Sequence, residues 1–342
     1  MLATTRFDRH PRARLLDGPT PIQRLRRVEA ALGECLHGVR LYVKRDDLTG
    51  LGGGGSKLRK LEFLFGDVLA QGADTVIATG PRQSNSARLA AAAAARLGLG
   101  CELGLRPLGP ADSAAYARSG NVLLDELFGA TLHELSDAQA AHPFVQSRLV
   151  ALEAQGRRGA LLPPAANSGI GALGYAECAL EIADQEHAMG LRFDRVVVPN
   201  GSGGTQAGLV AGFALLGRRG VVRGVSVLEP AGKAHAQTLA VSRECHALLE
   251  GEGAIEEEDI VVDDAWLGPG YGRLTGPAVG ALRFLARHEG LLLDPVYSAK
   301  AFAALLDSVR RGALTPGRAV LFVMTGGASA LPAYADELRA QP

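Results

Sequence analysis

Lysine is rare in this sequence, and one lysine lies where an amine could do covalent chemistry. The chain of 342 residues has five: Lys44, Lys57, Lys60, Lys233 and Lys300. Lys57 follows four glycines and precedes apolar residues at helical spacing, so we expect a helix to begin there with Ser56 as its N-cap. The positive end of a helix dipole lowers the pKa of a lysine, and a free amine attacks aldehydes. Lys57 is therefore the candidate nucleophile, and a surface lysine in a flexible loop is the alternative.

A second segment combines glycines with hydroxyl side chains and could bind an anion. It follows a predicted strand at 195–198, precedes a predicted helix at 206–216 and consists of Asn200, Gly201, Ser202, Gly203, Gly204 and Thr205. Backbone N–H groups at a helix start, together with the two hydroxyls, suit a phosphate monoester. Position 206 is glutamine, so the dinucleotide pattern G-x-G-x-x-G is incomplete, and there is no Walker lysine. A tight turn that simply needs glycine is the alternative.

Another polar loop follows the predicted strand at 75–78. It contains Gln83, Ser84, Asn85 and Ser86 and leads into an alanine-rich helix predicted from about residue 87. The amides and hydroxyls of this loop could hold a substrate carboxylate, and Ser84 could relay a proton. An N-cap role for Asn85 or Ser86 is compatible with that function.

Two tyrosines lie beside turn-forming residues near the C-terminus. Tyr271 stands between two glycines, and Tyr297 belongs to the segment DPVYS. Both are candidates for the site, although a tyrosine that packs its ring and bonds its hydroxyl without a catalytic role is more common.

These candidates share one local pattern, in which a β-branched run ends in a Gly/Ser/Asn loop that opens a helix. The pattern is clearest after the runs at 75–78, 195–198 and 319–323. Strands that alternate with helices predict an α/β protein with mainly parallel sheets, whose ligands bind at the carboxyl ends of the strands. We expect a large domain formed by residues 1–50 and 160–342, and a smaller inserted domain formed by 51–159.

Composition narrows the class of partner. The 36 basic and 36 acidic residues give no net charge, which argues against a nucleic-acid or membrane-surface binder. No apolar run is long enough to cross a bilayer. The four cysteines are widely spaced and indicate neither a zinc site nor a disulfide framework, so we expect no metal and a cytoplasmic location. A small molecule is the expected partner.

Several segments together resemble a known family. They are LYVKRDDLTGLGGGGSKLRKLEFL, ATGPRQSNSARLAAAAAARLG, VPNGSGGTQAGLVAGF, GPGYG, LDPVYSAKAFAALL and FVMTGGASAL. In this order they are similar to the D-cysteine desulfhydrase and 1-aminocyclopropane-1-carboxylate (ACC) deaminase family. The resemblance implies pyridoxal 5'-phosphate (PLP) as cofactor and the type II, tryptophan-synthase-β-like fold, with two open twisted sheets flanked by helices. It also implies a homodimer.

The resemblance assigns roles to the candidate residues. Lys57 matches the lysine that binds PLP covalently, residues 201–205 match the phosphate loop, and Asn85 matches the asparagine beside the phenolic oxygen. Ser84 matches a serine near the substrate carboxylate, with Gln83 and Ser86 as neighbouring substrate contacts. The further matches are Tyr271 and Tyr297 to the active-site tyrosines, Ser298 to the residue that faces the pyridine nitrogen, and Thr325 to a cofactor contact.

Ser298 bears on the reaction. ACC deaminases have a glutamate there, which keeps the pyridine nitrogen protonated and strengthens the electron sink, whereas desulfhydrase-like members have threonine. A neutral hydroxyl favours elimination of a good leaving group. Three departures from the family pattern concern the substrate side: Ser56 replaces asparagine, the glycine loop has an extra glycine, and Ser86 replaces histidine.

We therefore predict a PLP-dependent lyase that eliminates the β substituent of a small α-amino acid, giving a keto acid and ammonia, and sulfide if the substrate is cysteine. Removal of the α proton is assigned to Lys57, or to a hydroxyl relay through Ser84 or Tyr297. ACC ring opening and β-replacement are the alternatives within the family. A nicotinamide-dependent oxidoreductase would explain the α/β pattern but would leave Lys57 without a role.

Overall fold

Two sheets organise the chain. The computed structural model describes residues 4–108 and 113–341. The larger sheet has six strands, which in spatial order are β1 (Ile22–Arg24), β2 (Arg40–Lys44), β10 (Ala319–Val323), β7 (Phe193–Asn200), β8 (Val222–Ser226) and β9 (Val261–Asp263). Only β1 pairs antiparallel; the other neighbours are parallel. Parallel order brings the carboxyl ends of these strands to one edge.

The smaller sheet is parallel throughout. Its strands, again in spatial order, are β5 (Thr131–Glu134), β4 (Gly100–Arg106), β3 (Thr75–Pro81) and β6 (Gly159–Leu161). All four come from one continuous stretch of chain, while the strands of the larger sheet lie on either side of that stretch. The last strand crosses residue 160, where the predicted domain boundary lies.

Helices cover both sheets. They are α1 (Arg26–Leu32), α2 (Lys57–Ala70), α3 (Asn85–Leu97), α4 (Ala114–Arg118), α5 (Asn121–Leu127), α6 (Ala141–Ala154), α7 (Gly169–Met189), α8 (Gly204–Leu215), α9 (Ala231–Leu248), α10 (Gly276–Glu289), α11 (Ser298–Arg310) and α12 (Ala335–Ala340). In the part of the chain with coordinates described, none of these helices is long and apolar enough to cross a membrane.

Two helix starts next to the polar loops differ in detail from expectation. Helix α2 begins at Lys57 as predicted, but the side chain of Ser56 makes no capping hydrogen bond. The side chain that caps α3 is that of Ser84, which accepts a hydrogen bond of 3.1 Å from the backbone N–H of Ala87. The predicted caps, Asn85 and Ser86, are instead the first residues of the helix. Asn85 and Ser86 therefore belong to the first turn of the helix, where backbone N–H groups have no acceptor within the helix.

Helices α7 and α8 pack closely together in the interior. Helix α8 is buried over most of its length, as expected for a helix that is apolar all round. A Cβ added at Gly208 would lie 2.2 Å from the carbonyl oxygen of Ala172 on α7. The glycine is therefore needed for close approach of the two backbones, which anchors the loop at the start of α8 to the core.

A buried ion network joins β2, α2 and α7. Arg59 donates to Asp46 at 3.0 Å and to Glu181 at 2.8 Å, and Lys44 donates to Glu181 as well. The hydroxyl of Tyr175 donates to Asp46 at 2.6 Å. Each of the two cations therefore has a carboxylate partner.

Candidate active site

A cavity of about 650 Å³ lies at the carboxyl ends of strands from both sheets. Its wall includes Thr79 and Gly80 at the end of β3 and Pro199 at the end of β7. Most of the residues expected from the sequence line it: Lys57, Ser84, Asn85, Ser86, Gly201, Ser202, Gly203, Gly204, Thr205, Tyr271, Tyr297 and Thr325. Two expected residues, Gln83 and Ser298, do not line it.

Lys57 is the first residue of α2 and points into the cavity. Its Nζ donates a hydrogen bond of 3.0 Å to the carbonyl oxygen of Ala165. Burial lowers the pKa of Lys57 to about 8. The sequence also predicted a lowered pKa for Lys57, but from the helix dipole. In the structure the cause is burial, which removes solvent from the amine. An amine with this pKa is partly unprotonated near neutral pH and is a better nucleophile than an ordinary lysine.

The acceptor loop of Lys57 has an unusual backbone. Ala165 and Ala166 both have positive φ, 55° and 54°, in a region that non-glycine residues rarely occupy. Such conformations cost free energy and cluster at functional sites. The left-handed turn at Ala165 and Ala166 is the segment whose carbonyl oxygen, at Ala165, accepts the hydrogen bond from Lys57.

The glycine loop at the start of α8 forms a cradle that side chains would fill. Gly203 has φ 89°, and a Cβ added there would lie 2.9 Å from the hydroxyl of Thr238. A Cβ on Gly204 would lie 2.3 Å from Oδ1 of Asn167 and 2.6 Å from Nζ of Lys60. The absence of side chains here leaves room beside the N–H groups of this helix start and Thr205, which line the cavity and suit a small anion.

Lys60 lies one helical turn after Lys57 and has no neutralising partner. Its side chain is fully buried, and no hydrogen-bond acceptor for Nζ exists among the residues with described positions. Burial, and then the charge of Lys57, lower the pKa of Lys60 well below its usual value. Oδ1 of Asn167, beside the same glycine, also lacks a partner there. An unpaired cation at a helix N-terminus fits a phosphate group.

Hydrogen bonds from residues outside the cavity fix the loop at the start of α3. Oδ1 of Asn85 accepts a hydrogen bond of 2.9 Å from Asn121, and its Nδ2 lies close to Gly327, where a Cβ would come within 2.4 Å. The carbonyl of Thr325 accepts a hydrogen bond of 2.9 Å from the N–H of Ser56. Asn85 is thus held in one orientation at the cavity wall, and the loop that carries Thr325 is tied to the residue before Lys57.

Gln83 supports this loop from outside the cavity. Its Nε2 donates hydrogen bonds of 2.8 Å to the carbonyls of Tyr116 and Ser119, and its Oε1 accepts from the N–H of Asn121 at 2.9 Å. With its amide used in this way, Gln83 fixes the polar loop and does not reach the cavity that the sequence assigned to it.

Tyr271 and Tyr297 form a hydrogen-bonded pair in the wall. Their hydroxyl oxygens are 2.6 Å apart, and their rings pack edge to face. Burial raises the pKa of both tyrosines above the usual value. Both hydroxyls therefore remain protonated at neutral pH and act as hydrogen-bond donors more readily than as bases.

Ser298 turns away from the cavity toward Asp294. The Oγ of Ser298 donates to the Asp294 carboxylate, which also accepts from the N–H groups of Val296, Tyr297 and Ser298 at 2.7 to 2.9 Å. Burial raises the pKa of Asp294, while these hydrogen bonds oppose the rise. Asp294 thus shapes the turn that presents Tyr297, and Ser298 contributes to that turn.

Sequence reasoning gave no role to Lys60, Asn167 or Asn121. Lys60 could have been found from the sequence. Two of the five lysines, Lys57 and Lys60, lie three residues apart on one predicted helix and therefore share a face. Asn167 and Asn121 had none, because their contacts with the cavity loops are made across large sequence separations.

The fold and the cavity define a class of enzyme. An amine of lowered pKa lies in the same cavity as a cradle for a phosphate, with an orphaned buried cation at the base of the cradle. These features fit a phosphorylated aldehyde cofactor. A family model described as pyridoxal-phosphate dependent enzyme matches residues 13–326.

Relatives place the chain within that class. It is 39% identical over 337 residues to the 1-aminocyclopropane-1-carboxylate deaminase of Burkholderia ambifaria (strain MC40-6), covering 97% of this chain and 99% of the relative. It is 40% identical over 324 residues to the D-cysteine desulfhydrase of Serratia proteamaculans (strain 568), covering 95% and 96%. The solved structure of an ACC deaminase homologue matches with a TM-score of 0.87 at 34% identity, covering 99% and 98%.

The chain belongs to the PLP-dependent enzyme family that contains ACC deaminases and D-cysteine desulfhydrases. The type II fold, the PLP cofactor and the lyase class expected from the sequence are confirmed. The two kinds of relative are equally similar to this chain.

Proposed function

We propose that this enzyme eliminates the β substituent of a small α-amino acid, as a D-cysteine desulfhydrase does, and releases a keto acid and ammonia. PLP, when bound, supplies an electron sink that stabilises negative charge at the α carbon of an amino acid. The protein supplies binding, orientation and proton transfer.

Two loops would orient the reactants. The N–H groups of residues 201–205 and the side-chain amine of Lys60, whose protonated form a phosphate would favour, would hold the phosphate. Backbone N–H groups at the start of α3, next to Ser84 and Asn85, would hold the substrate carboxylate. Because both loops line the same cavity as Lys57, a ligand bound by both would have its reacting carbon between them and within reach of Lys57.

Lys57 is the group best suited to move the α proton. Its pKa of about 8 leaves a useful fraction of free amine near neutral pH. The tyrosine pair has raised pKa values and would instead donate hydrogen bonds or return a proton. Ser84 accepts a hydrogen bond from Ala87 and would position the carboxylate end of the substrate.

One observation carries the choice of elimination over ring opening: the cavity offers no free carboxylate to hold a pyridine nitrogen protonated. Among the described residues of its wall, Glu229 alone has a carboxylate, and that group pairs with Lys233 at 3.0 Å. Ser298 is neutral and bonded to Asp294. A weaker electron sink suffices for loss of a good leaving group.

The test is product identity with the PLP-loaded enzyme. We expect a three-carbon keto acid from D- or L-cysteine, β-chloroalanine or another β-substituted amino acid, and little four-carbon keto acid from ACC. Four-carbon product from ACC without three-carbon product from the others would overturn elimination and favour ring opening. A new amino acid formed only when a thiol is added would indicate β-replacement. The homodimer and the cytoplasmic location stay predictions from the sequence.

A further inference from the structure

The proposed function gives no role to one cationic residue of the cavity wall, Arg106. The charged side chains of the described wall are Lys57, Arg106 and Glu229. Arg106 is the last residue of β4, it is partly buried, and its guanidinium forms no hydrogen bond or ion pair with any residue in the described ranges. By contrast, Arg82, at the neighbouring strand end, donates to Glu134 at 2.7 Å. The guanidinium is half-buried, and its charge acts on the exposed Asp137 without forming a direct ion pair, so its donors stay available to an anion in the cavity.

Arg106 lies beside the reacting groups. Strands β3 and β4 pair so that Pro81 is opposite Arg106, and the N–H of Arg82 donates a hydrogen bond of 3.0 Å to the Arg106 carbonyl. Arg106 is therefore next to the loop that opens α3. On the other side, burial raises the pKa of Tyr271 and the positive charge of Arg106 opposes that rise, so the guanidinium is close enough to act on the tyrosine pair that lines the same cavity.

The other anions of the reaction already have partners. The cradle at α8 and Lys60 suit the cofactor phosphate. The backbone N–H groups of Asn85 and Ser86 have no acceptor among the described residues, which leaves them for the α-carboxylate. Arg106 remains for a third anion.

The wall around Arg106 is apolar. Leu108 lies two residues after it in the chain, and Leu135, Ala138 and Ala141 line the cavity after β5, while Asp137, on which the charge of Arg106 acts, is exposed and does not line the cavity. Apolar neighbours exclude water and strengthen an ion pair, and a bidentate guanidinium is well matched to an oxyanion. A neutral thiol would use neither property.

We propose that Arg106 binds a β substituent that is itself a tetrahedral oxyanion, a sulfonate or a phosphate ester, so that the preferred substrates are acidic β-substituted α-amino acids. This inference rests on the elimination proposed above. The proton on Cα passes to Lys57, the electron pair of that C–H bond forms the Cα=Cβ bond, and the Cβ–S or Cβ–O bond breaks with its electron pair on sulfite or phosphate. One water then converts the three-carbon product to pyruvate and ammonium, so no oxidant or reductant is needed.

The experiment compares kcat/KM of the PLP-loaded enzyme for acidic substrates, cysteate and O-phosphoserine, with that for neutral β-chloroalanine. We expect Arg106→Gln to lower the ratio of acidic to neutral kcat/KM by about tenfold or more, as for loss of a charged hydrogen bond. Arg106→Lys retains part of the ratio because it keeps the charge. Arg82→Gln, the matched control, keeps the wild-type ratio. An equal loss for both kinds of substrate in Arg106→Gln, or an unchanged ratio, would overturn the proposal.

A second measurement separates this proposal from elimination itself. The unreactive 3-sulfopropanoate should inhibit competitively, and its inhibition constant should rise about tenfold in Arg106→Gln while that of propanoate changes little. If ACC proves to be the only substrate, elimination fails, and the same inhibition measured against ACC turnover still tests Arg106. Equal inhibition of the wild-type enzyme by 3-sulfopropanoate and propanoate would sink the proposal.

Discussion

Two regions of this protein hold buried cations in opposite ways. In the buried ion network, Lys44 and Arg59 are fully covered, and each donates to Asp46 or Glu181. At the cavity, Nζ of Lys60 has no hydrogen-bond acceptor among the described residues, and the half-buried guanidinium of Arg106 forms no direct ion pair there, although its charge acts on the exposed Asp137. Both regions use side chains from the same stretch of sequence, since Arg59 and Lys60 are neighbours on α2.

The difference in pairing distinguishes cations that stabilise the fold from cations that are suited to bind a ligand. A cation buried with its carboxylate partners is costly to disrupt, because removing one partner leaves the other charge unpaired. A cation buried alone is already costly in the free protein, and a ligand anion relieves that cost. The first arrangement holds β2, α2 and α7 together; the second is the one that we propose binds phosphate or substrate. Single substitutions should therefore affect stability in one region and ligand binding or turnover in the other.

The largest effect is expected at Lys57. Lys57→Ala removes the amine that we propose binds PLP and moves the proton, so turnover should fall by about 10³-fold or more. The free energy of unfolding of the PLP-free protein should not fall, since the lysine makes a single hydrogen bond to Ala165. Turnover assays, mass spectrometry after borohydride reduction and denaturant unfolding check both parts. Turnover that persists in this variant would remove the basis of the proposed function.

The next effect concerns the ion network. Asp46→Asn leaves Arg59 partly uncompensated, and we expect a loss of about 3 kcal/mol in the free energy of unfolding. Burial alone would raise the pKa of Asp46, but Arg59 outweighs it and lowers the pKa. This contribution is therefore present above about pH 4 and is lost as the pH falls further, so the stabilities of variant and wild type should converge in acid. Folded variant should still bind PLP; unchanged stability would contradict the comparison.

A smaller effect is expected at Lys60. Lys60→Met removes the cation beside Gly204, so the dissociation constant for PLP should rise by about tenfold to 100-fold. The stability of the PLP-free protein should stay the same or increase, because a buried polar group without a hydrogen-bond partner among the described residues is lost. Lys300→Met is the matched control, since Lys300 is buried but donates to the carbonyl of Leu267 at 2.6 Å. It should lower stability and leave PLP affinity unchanged. The reverse pattern would make Lys60 a structural residue.

The smallest effect is a pH dependence. With a pKa of about 8, the free-amine fraction of Lys57 rises about tenfold per pH unit below 8 and levels off above it. Acetylation of Lys57 in the PLP-free protein, followed by mass spectrometry from pH 6 to 10.5, should show this plateau. A reactivity that still rises tenfold per unit at pH 10 would mean that the lysine is solvated like an ordinary one.

Local pattern predicted much of the site, and its failures are instructive. The helix start at Lys57, the strand at 319–323 and the glycine loop before α8 follow from short-range spacing, and the structure has them there. The cap of α3 shifted to Ser84, because the helix begins two residues earlier than its alanine-rich run suggests. Gln83 and Ser298 lie outside the cavity, because Asn121 and Asp294 engage them. The division into domains at 51–159 stays a prediction.

The sequence by itself determined the α/β class, the helix start at Lys57 and the glycine loop before α8, because each depends on residues close together in the chain whose periodicity and conformational freedom are local properties. Only the tertiary structure decided which cations are neutralised. Arg59 pairs with Asp46 and Glu181, whereas within the described ranges Nζ of Lys60, beside Gly204, has no hydrogen-bond acceptor and Arg106 lines the cavity without a direct ion pair. That outcome depends on contacts between segments far apart in sequence. It matters because a charge removed from water is costly unless it is paired within the protein or binds an ion.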